Sequence, residues 1–378
     1  MPQKIPKLSS RYIPVHNKTY AINDGIHWWR SDSYFNYPNV LINLIGTSKE
    51  EIEKLRGDSK DLFLLTDSGG FQVISGKCDL TWETSLLKQI ELGASKIFAF
   101  DKPPVKPLFE GSLNQFIYMS DEETKRIIEE NIKVALIQSE YLKKNYPEDF
   151  KRFCYIVHGK SKEQIEYNLI LFDKYLGGRD NYSKFFPGGI VYASKSKDIL
   201  FITIAARHAY ENFIKKGIYV HFLGLGSFSR ILILIRNKIT TFDSSSVLQG
   251  ARANDFVNPL DITNSLQILT DDFCFEKSFC TCPVCSSVNY NELIEKNIPI
   301  GRYFIAHNLW HLLKINVMLD SIPLNKYTEI VSKLYKVRDV VKIALDFCDC
   351  ADQYGFEVAY EKYKHHLKKD ETKQKTLF

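Results

Sequence analysis

No stretch of this 378-residue sequence is apolar for long enough to cross a bilayer as a helix, and its start lacks a signal-peptide pattern. These two absences speak against a helical membrane protein and imply a cytoplasmic one, or one made in a host cytoplasm. There is no internal repeat and no low-complexity tract, so nothing suggests a solenoid or a disordered linker. A GxGxxG fingerprint is missing, and Gly224-Leu225-Gly226 alone is a weak signal, which leaves an open, doubly wound nucleotide-binding sheet only as the runner-up architecture. The eight cysteines are not spaced as a secreted disulfide framework. With 44% hydrophobic and 25% charged residues the chain is globular, and its length suits one large barrel domain with an appendage. A net charge of +5 is compatible with a polyanionic partner without requiring one.

What is present centres on Thr66-Asp67-Ser68-Gly69-Gly70-Phe71-Gln72. The apolar run 62–65 before it reads as a buried strand. An acid at a strand end, two glycines that let backbone approach closely, and an aromatic suit a polar, planar ligand. The plain alternative is a tight strand-to-helix turn with Asp67 as N-cap.

The same alternation recurs along the chain. Strand-like runs at 40–45, 62–65, 96–100, 153–157, 185–191, 219–223 and 239–242 are separated by helical runs at about 48–56, 121–144, 196–216 and 227–237. Ser120 and Glu123 read as a capping box for the second of these helices. Most strands end in a polar residue or glycine, among them Asp101, His158-Gly159 and Asp243. Parallel strands with helices outside and polar groups at their C-terminal ends describe a TIM (β/α)8 barrel. Seven strands are placed in this way; the eighth is not legible. Residues 1–38 are polar and rich in aromatics that suit packing over one end of a barrel, and the barrel core is expected over 39–273.

From residue 274 the character changes. Cys280-Thr281-Cys282-Pro283-Val284-Cys285 gives Cys-x-Cys-x2-Cys, a thiolate spacing that suits tetrahedral zinc. A fourth ligand is needed, and His307 and His311 follow on a helical run. Cys274, Cys348 and Cys350 read as core packing. A zinc-binding subdomain over 274–320 and a C-terminal helical segment over 321–378 are expected, the latter ending in a basic tail with Lys362, Lys364, Lys368 and Lys369.

The string Thr66-Asp67-Ser68-Gly69-Gly70-Phe71-Gln72, taken with the cysteine spacing, resembles the tRNA-guanine transglycosylase superfamily, whose members exchange a guanine in nucleic acid for a 7-deazaguanine. The resemblance covers roughly 60–315. It implies a (β/α)8 barrel with an inserted structural zinc unit, and it implies roles for residues. Phe242-Asp243-Ser244 matches the segment that carries the nucleophile, and Asp67 matches the general acid/base. A carboxylate that attacks C1′ and a second that shuttles protons repeat the logic of retaining glycosidases. Asp101 matches a base-binding aspartate, Phe71 the stacking aromatic, Ser68 and Gly69 the adjoining turn, and Gly189 and Ile190 the backbone contacts to the base. Val157-His158-Gly159 departs from the usual Val-Gln-Gly, which puts recognition of O6 and of the 7-substituent in doubt. His307, in Ala306-His307-Asn308-Leu309, resembles the fourth zinc ligand, with His311 one turn on as the alternative. Taken alone, Asp243 is also compatible with a helix N-cap and His158 with a buried, backbone-satisfied histidine.

The segment before the signature departs from typical tRNA enzymes, and the chain looks most like the DNA-modifying branch, DpdA. The resemblance therefore favours DNA over tRNA as the polymer, a preQ0-like 7-deazaguanine as the incoming base, and leaves room for a homodimer. A non-catalytic nucleic-acid-binding member of the superfamily and a simple glycoside hydrolase are the competing readings. Retention of both Asp67 and Asp243 speaks against the first. The zinc unit and the glycine-aromatic turn speak against the second.

Overall fold

Eight short runs of apolar residues, alternating in the direction of their side chains, build one parallel sheet that rolls up on itself. A computed structural model describes residues 3–4, 11–16, 27–30, 32–57, 59–108, 116–193, 196, 198–252, 255–257, 265–267, 280–296 and 301–367. The strands are β1 (Tyr12–His16), β2 (Asn39–Ile42), β3 (Phe63–Thr66), β4 (Ile97–Phe98), β5 (Phe153–Val157), β6 (Gly189–Tyr192), β7 (Val220–Phe222) and β8 (Thr241–Ser244). Each lies beside its sequence neighbour, and β8 pairs with β1 in parallel, Asp243 opposite Ile13. This is the (β/α)8 barrel that the sequence implied, with helices between the strands.

The eighth strand, illegible in sequence, is β1. Tyr12–His16 lies between β8 and β2 and falls in the stretch that reads as an aromatic-rich N-terminal segment. Trp28, Trp29, Phe35 and Tyr37 of that stretch are buried. Trp28 Nε1 donates to the Asn39 carbonyl (3.1 Å) and Trp29 Nε1 to that of Leu55 (2.8 Å), so these rings satisfy their polar ends while filling the layer.

The seam lies between β3 and β4. A single backbone bond and side chains replace the missing ladder there: Ser95 N donates to Leu64 O (2.7 Å) and Leu64 N to Ser95 Oγ (3.0 Å). Gln89, fully buried on α2 (Trp82–Glu91), accepts from Phe98 N (2.8 Å) and donates to Phe98 O (2.9 Å). A buried strand edge is thus left with no orphan amide at Phe98.

Strand parity sorts the core into two layers. Ile13, Leu41, Leu65, Phe98, Cys154, Ile156 and Val191 fill the barrel interior, while Tyr12, Val40, Leu64, Tyr155, Ile190, Phe222 and Phe242 face the helices. α1 (Lys49–Arg56) and α3 (Asp121–Asn145) both start on a reciprocal capping box, Ser48 with Glu51 and Ser120 with Glu123. α4 (Lys162–Leu176), α5 (Ile199–Asn212) and α6 (Phe228–Arg236) complete the ring before β8. A short helix over Ser246–Arg252 follows β8 directly, and α7 (Gly301–Asp320) comes later and packs against it, β1 and α6; Asp320 at the end of α7 pairs with Arg11 at the head of β1 (3.0 Å).

The C-terminal helices are present, although the single long run expected from sequence breaks into Tyr327–Leu334, α8 (Asp339–Tyr354) and Phe356–Tyr363, the last break at Gly355 with φ 91°. α8 docks on α5 and α6 through charge as well as apolar surface. Arg236, 2% exposed, meets Asp349 (2.8 Å) and Asp352 (2.6 Å), and Arg207 also pairs with Asp352. Cys348 and Cys350 are buried on α8. Cys274, Lys368 and Lys369 lie outside the described residues. Among the described residues no helix is long and apolar enough to span a membrane.

Candidate active site and metal centre

The inward parity of the strands continues past their C-terminal ends and delivers polar side chains to one cavity of about 280 Å³. Val15, Leu41, Ala193 and Leu223 form its apolar surface, and Asp67, Ser68, Gly69, Phe71, Asp101, His158 and Asp243 all line it. Seven of the nine barrel residues singled out in the sequence are therefore brought together.

Asp67 follows β3 directly. It is not an N-cap: the short helix Gly70–Ile74 starts on Gly69 in the left-handed region (φ 80°), with no side-chain cap. Its carboxylate instead accepts from Leu44 N (2.9 Å, Oδ1) and Gln72 Nε2 (2.6 Å, Oδ2). Gly70 must be glycine for a different reason. A Cβ there would stand 1.8 Å from the Asp101 carbonyl oxygen, so the turn after β3 and the loop after β4 touch backbone to backbone.

Asp101, 6% exposed, sits in that loop. Two polar residues on the buried face of α3 hold the chain on either side of it. Gln138 Oε1 accepts from Phe100 N (3.0 Å); Asn131 accepts from Lys102 N (2.8 Å) and donates to Lys102 O (2.9 Å). Sequence reading missed both. Their signal is an amide on an otherwise apolar helix face, which needs a backbone partner when buried. The Asp101 carboxylate accepts from Ser68 Oγ on Oδ1, and His158 Nε2 lies 2.7 Å from Oδ2. Pro103 and Pro104 end the strand run, and the hairpin Val105–Pro107 with Phe116–Tyr118 follows. It brings Tyr118 to the cavity wall and sets Phe116 edge-on to Phe71, with centroids 4.9 Å apart.

Asp243, 5% exposed, lies within β8 and is no helix cap. Its Oδ1 accepts from Gly224 N (3.0 Å) and lies 3.1 Å from His221 Nε2. His221 is a residue of the site that sequence reading missed. It stands two positions before Leu223 on β7, so parity alone aims it into the barrel.

Gly189 and Ile190 require a correction. The sequence reading puts this glycine pair at the end of a strand; the structure puts it at the beginning, after a helical turn over Tyr182–Phe185. Gly189 pairs with Cys154 near the start of β5, at the end of the barrel away from the cavity, and neither residue lines it. Ile190 points into the helix layer. The glycines serve packing: a Cβ on Gly188 would lie 2.2 Å from Arg152 O, and one on Gly189, at φ +118°, 2.3 Å from Tyr219 O.

A second cluster lies between β8 and α7. Single ligand atoms of Cys280, Cys282, Cys285 and His307 all fall within 4.8 Å of one another. The sulfurs stand 3.6, 3.4 and 3.3 Å from His307 Nδ1. A tetrahedron with Zn–S of about 2.3 Å and Zn–N of about 2.0 Å has N–S edges of about 3.5 Å, so the donor set fits that ion. The other ring nitrogen, Nε2, donates to Val257 O (2.9 Å), which leaves the Nδ1 lone pair for a metal. Burial lowers the His307 pKa and favours the neutral ring that ligation needs. The Phe256 ring stacks on the imidazole at 3.5 Å between centroids. His311 reaches Cys280 alone, its Nε2 3.1 Å from Sγ. Because His307 sits on α7 and the cysteines precede it, a metal here would tie the last barrel helix to the segment that follows β8.

The fold and these two clusters define a (β/α)8 barrel with a carboxylate-lined cavity at the C-terminal ends of its strands and a Cys3His cluster that could hold a metal ion. No family model matches the chain. It is 26% identical over 314 residues, 77% of its length, to a protein of Saccharolobus solfataricus described as tRNA-guanine(15) transglycosylase. The alignment covers 53% of that protein, so the chain spans about half the length of the curated relative it matches.

Proposed function

We propose that this chain is a base-exchange transglycosylase that replaces a guanine in nucleic acid with a 7-deazaguanine of the preQ0 kind. The observation that carries the reading is that Asp67 and Asp243 open on the same cavity, with Asp101 in its wall. Asp243 attacks C1′; the Asp243 O–C1′ bond forms as the C1′–N9 bond breaks, and the departing base takes the bond pair and a proton from Asp67. The incoming base returns a proton to Asp67 and attacks C1′, and the ester pair goes back to Asp243. Asp101 accepts from the guanine N1–H and N2 amino group, Phe71 lies against the base, and Ser68 and His158 orient Asp101. The target nucleotide must leave its stack to reach a cavity of this depth. Zinc on Cys280, Cys282, Cys285 and His307 is structural, since four protein ligands close the site. Thiolate ligands of this kind persist in the reducing cytoplasm, where the reaction is placed.

DNA is the favoured polymer. The segment before Thr66-Asp67-Ser68-Gly69-Gly70-Phe71-Gln72 departs from that of typical tRNA enzymes. tRNA is the second reading, supported by the relative's printed description. The test is incorporation of a labelled 7-deazaguanine into duplex DNA and into tRNA in parallel, at one salt concentration. Binding alone does not discriminate, because phosphate contacts hold either polymer and weaken with salt in both cases. Label in DNA alone is expected; label in tRNA alone would overturn the polymer assignment, and label in neither would overturn the exchange reading.

A further inference from the structure

We propose that His221 is the positioning residue for Asp243, the end of a hydrogen-bonded chain that fixes which carboxylate oxygen faces the sugar. The proposal rests on the base-exchange reading of the cavity. His221 is fully buried in the barrel interior, with the Phe98 ring against it at 5.6 Å between centroids. Its Nε2 lies 3.1 Å from Asp243 Oδ1, and its Nδ1 lies 2.9 Å from Thr241 Oγ1. Thr241 Oγ1 in turn lies 2.6 Å from the Tyr219 hydroxyl.

The chemistry of these groups orders the donors. A carboxylate only accepts, so Nε2 carries the proton and donates to Oδ1. In a ring that carries only that proton Nδ1 accepts, and Thr241 donates there. Its single proton spent, Thr241 accepts from Tyr219. The result is a one-way series, Tyr219 O–H to Thr241 O–H to Nδ1, and Nε2–H to Asp243, in which each bond polarises the next. Gly224 N–H donates to the same Oδ1 at 3.0 Å. Among the described residues no donor meets Oδ2. Two donors on one oxygen stop rotation of the carboxylate and leave the other oxygen to attack.

Two adjacent strands supply these parts through side chains of inward parity or a strand-end amide. Tyr219 precedes β7, His221 is within it, Gly224 follows it, and Thr241 and Asp243 stand two apart on β8. Parallel register sets His221 opposite Thr241. The placement of Asp243 is therefore built into the barrel wall.

The experiment compares full-length wild type, His221→Phe, His221→Gln and Thr241→Val in label exchange, on whichever polymer wild type uses. The readouts are kcat, KM for the base, the rate of forming a denaturant-stable protein–nucleic acid adduct, and the melting temperature. His221→Phe keeps a ring in the barrel and removes the donor, so kcat and adduct formation should fall on the order of 10- to 100-fold with KM unchanged. His221→Gln restores a donor near the Nε2 position and should recover most of that rate, which a merely structural role for the ring does not explain. Thr241→Val keeps the shape, frees Nδ1 from its donor, and should slow the same step even if His221→Phe fails to fold. A His221→Phe enzyme as fast as wild type, or a folded His221→Gln as slow as His221→Phe, overturns the proposal. So does a Thr241→Val enzyme of wild-type rate where His221→Phe is unfolded. A normal His221→Phe beside an inactive Asp243→Ala overturns this inference alone. No exchange by wild type on either polymer overturns the base-exchange reading with it.

Discussion

His158 Nε2 lies 2.7 Å from Asp101 Oδ2, and both side chains are buried at the mouth of the barrel. With Ser68 on the other oxygen, this pair holds the carboxylate plane in one orientation across the cavity. Hydrogen bonds to a charged group contribute about 1.5–3 kcal/mol each. His158→Ala is therefore expected to raise KM for the free base by on the order of 10-fold or more, with a smaller effect on kcat. His158→Gln, which can still donate to Asp101, is expected to stay close to wild type in KM for guanine. Steady-state exchange with labelled guanine checks both.

The Cys3His centre makes a compositional claim. One zinc per chain is expected by elemental analysis of folded protein. Cys282→Ser should lose the metal and lower the melting temperature before it alters chemistry in the surviving folded fraction, because the ligands join α7 to the segment after β8. Folded protein without zinc would contradict this.

His208 gives the stability curve an acid slope. Burial, helped by the positive charges of Lys162 and Arg179, lowers its pKa from 6.5 to about 3, and Nδ1 lies 2.8 Å from the Tyr192 hydroxyl. The unfolded chain takes up a proton below pH 6.5 that the folded chain refuses until about pH 3. The neutral ring's contribution is thus intact above pH 6.5 and falls as the pH drops, by about 2 kcal/mol at pH 5. Urea unfolding at pH 7 and pH 5 should show a shallower loss in His208→Gln than in wild type; identical losses would contradict the assignment.

Asp352 answers two arginines whose side chains are only 2–3% exposed, Arg207 and Arg236. Removing it leaves Arg207 with Glu211 and Arg236 with Asp349 as their remaining acidic partners. Asp352 is itself 37% exposed, so the cost lies between that of a surface pair and a buried one, about 1–3 kcal/mol for Asp352→Ala. Denaturant melts of the two proteins check the value.

The barrel was legible because strands buried on both faces read as apolar runs and end in residues that only a site or a turn needs. β1 was not legible because Tyr12-Ile13-Pro14-Val15-His16 is short, contains a proline and stands among aromatics without a period. Asp67, Asp101, His158 and Asp243 could be placed from strand ends and from resemblance to a known motif. Gly189 and Ile190 were misplaced for a physical reason. Phe185 and Phe186 extend the apolar run backward, so the glycines look like its end, whereas the chain is helical over Tyr182–Phe185 and extended only from Gly189. His221, Asn131 and Gln138 carry no motif. Their roles depend on which backbone or carboxylate lies opposite, and only tertiary packing sets that.

The proposed exchange requires that Asp243 form a covalent bond to the sugar. The most direct measurement is denaturing electrophoresis or intact-mass analysis of wild type and Asp243→Ala after incubation with the labelled polymer, without free base. A denaturant-stable adduct that free 7-deazaguanine discharges is expected in wild type, and none in Asp243→Ala. An adduct that persists in Asp243→Ala, or base exchange at the wild-type rate in that variant, would contradict it.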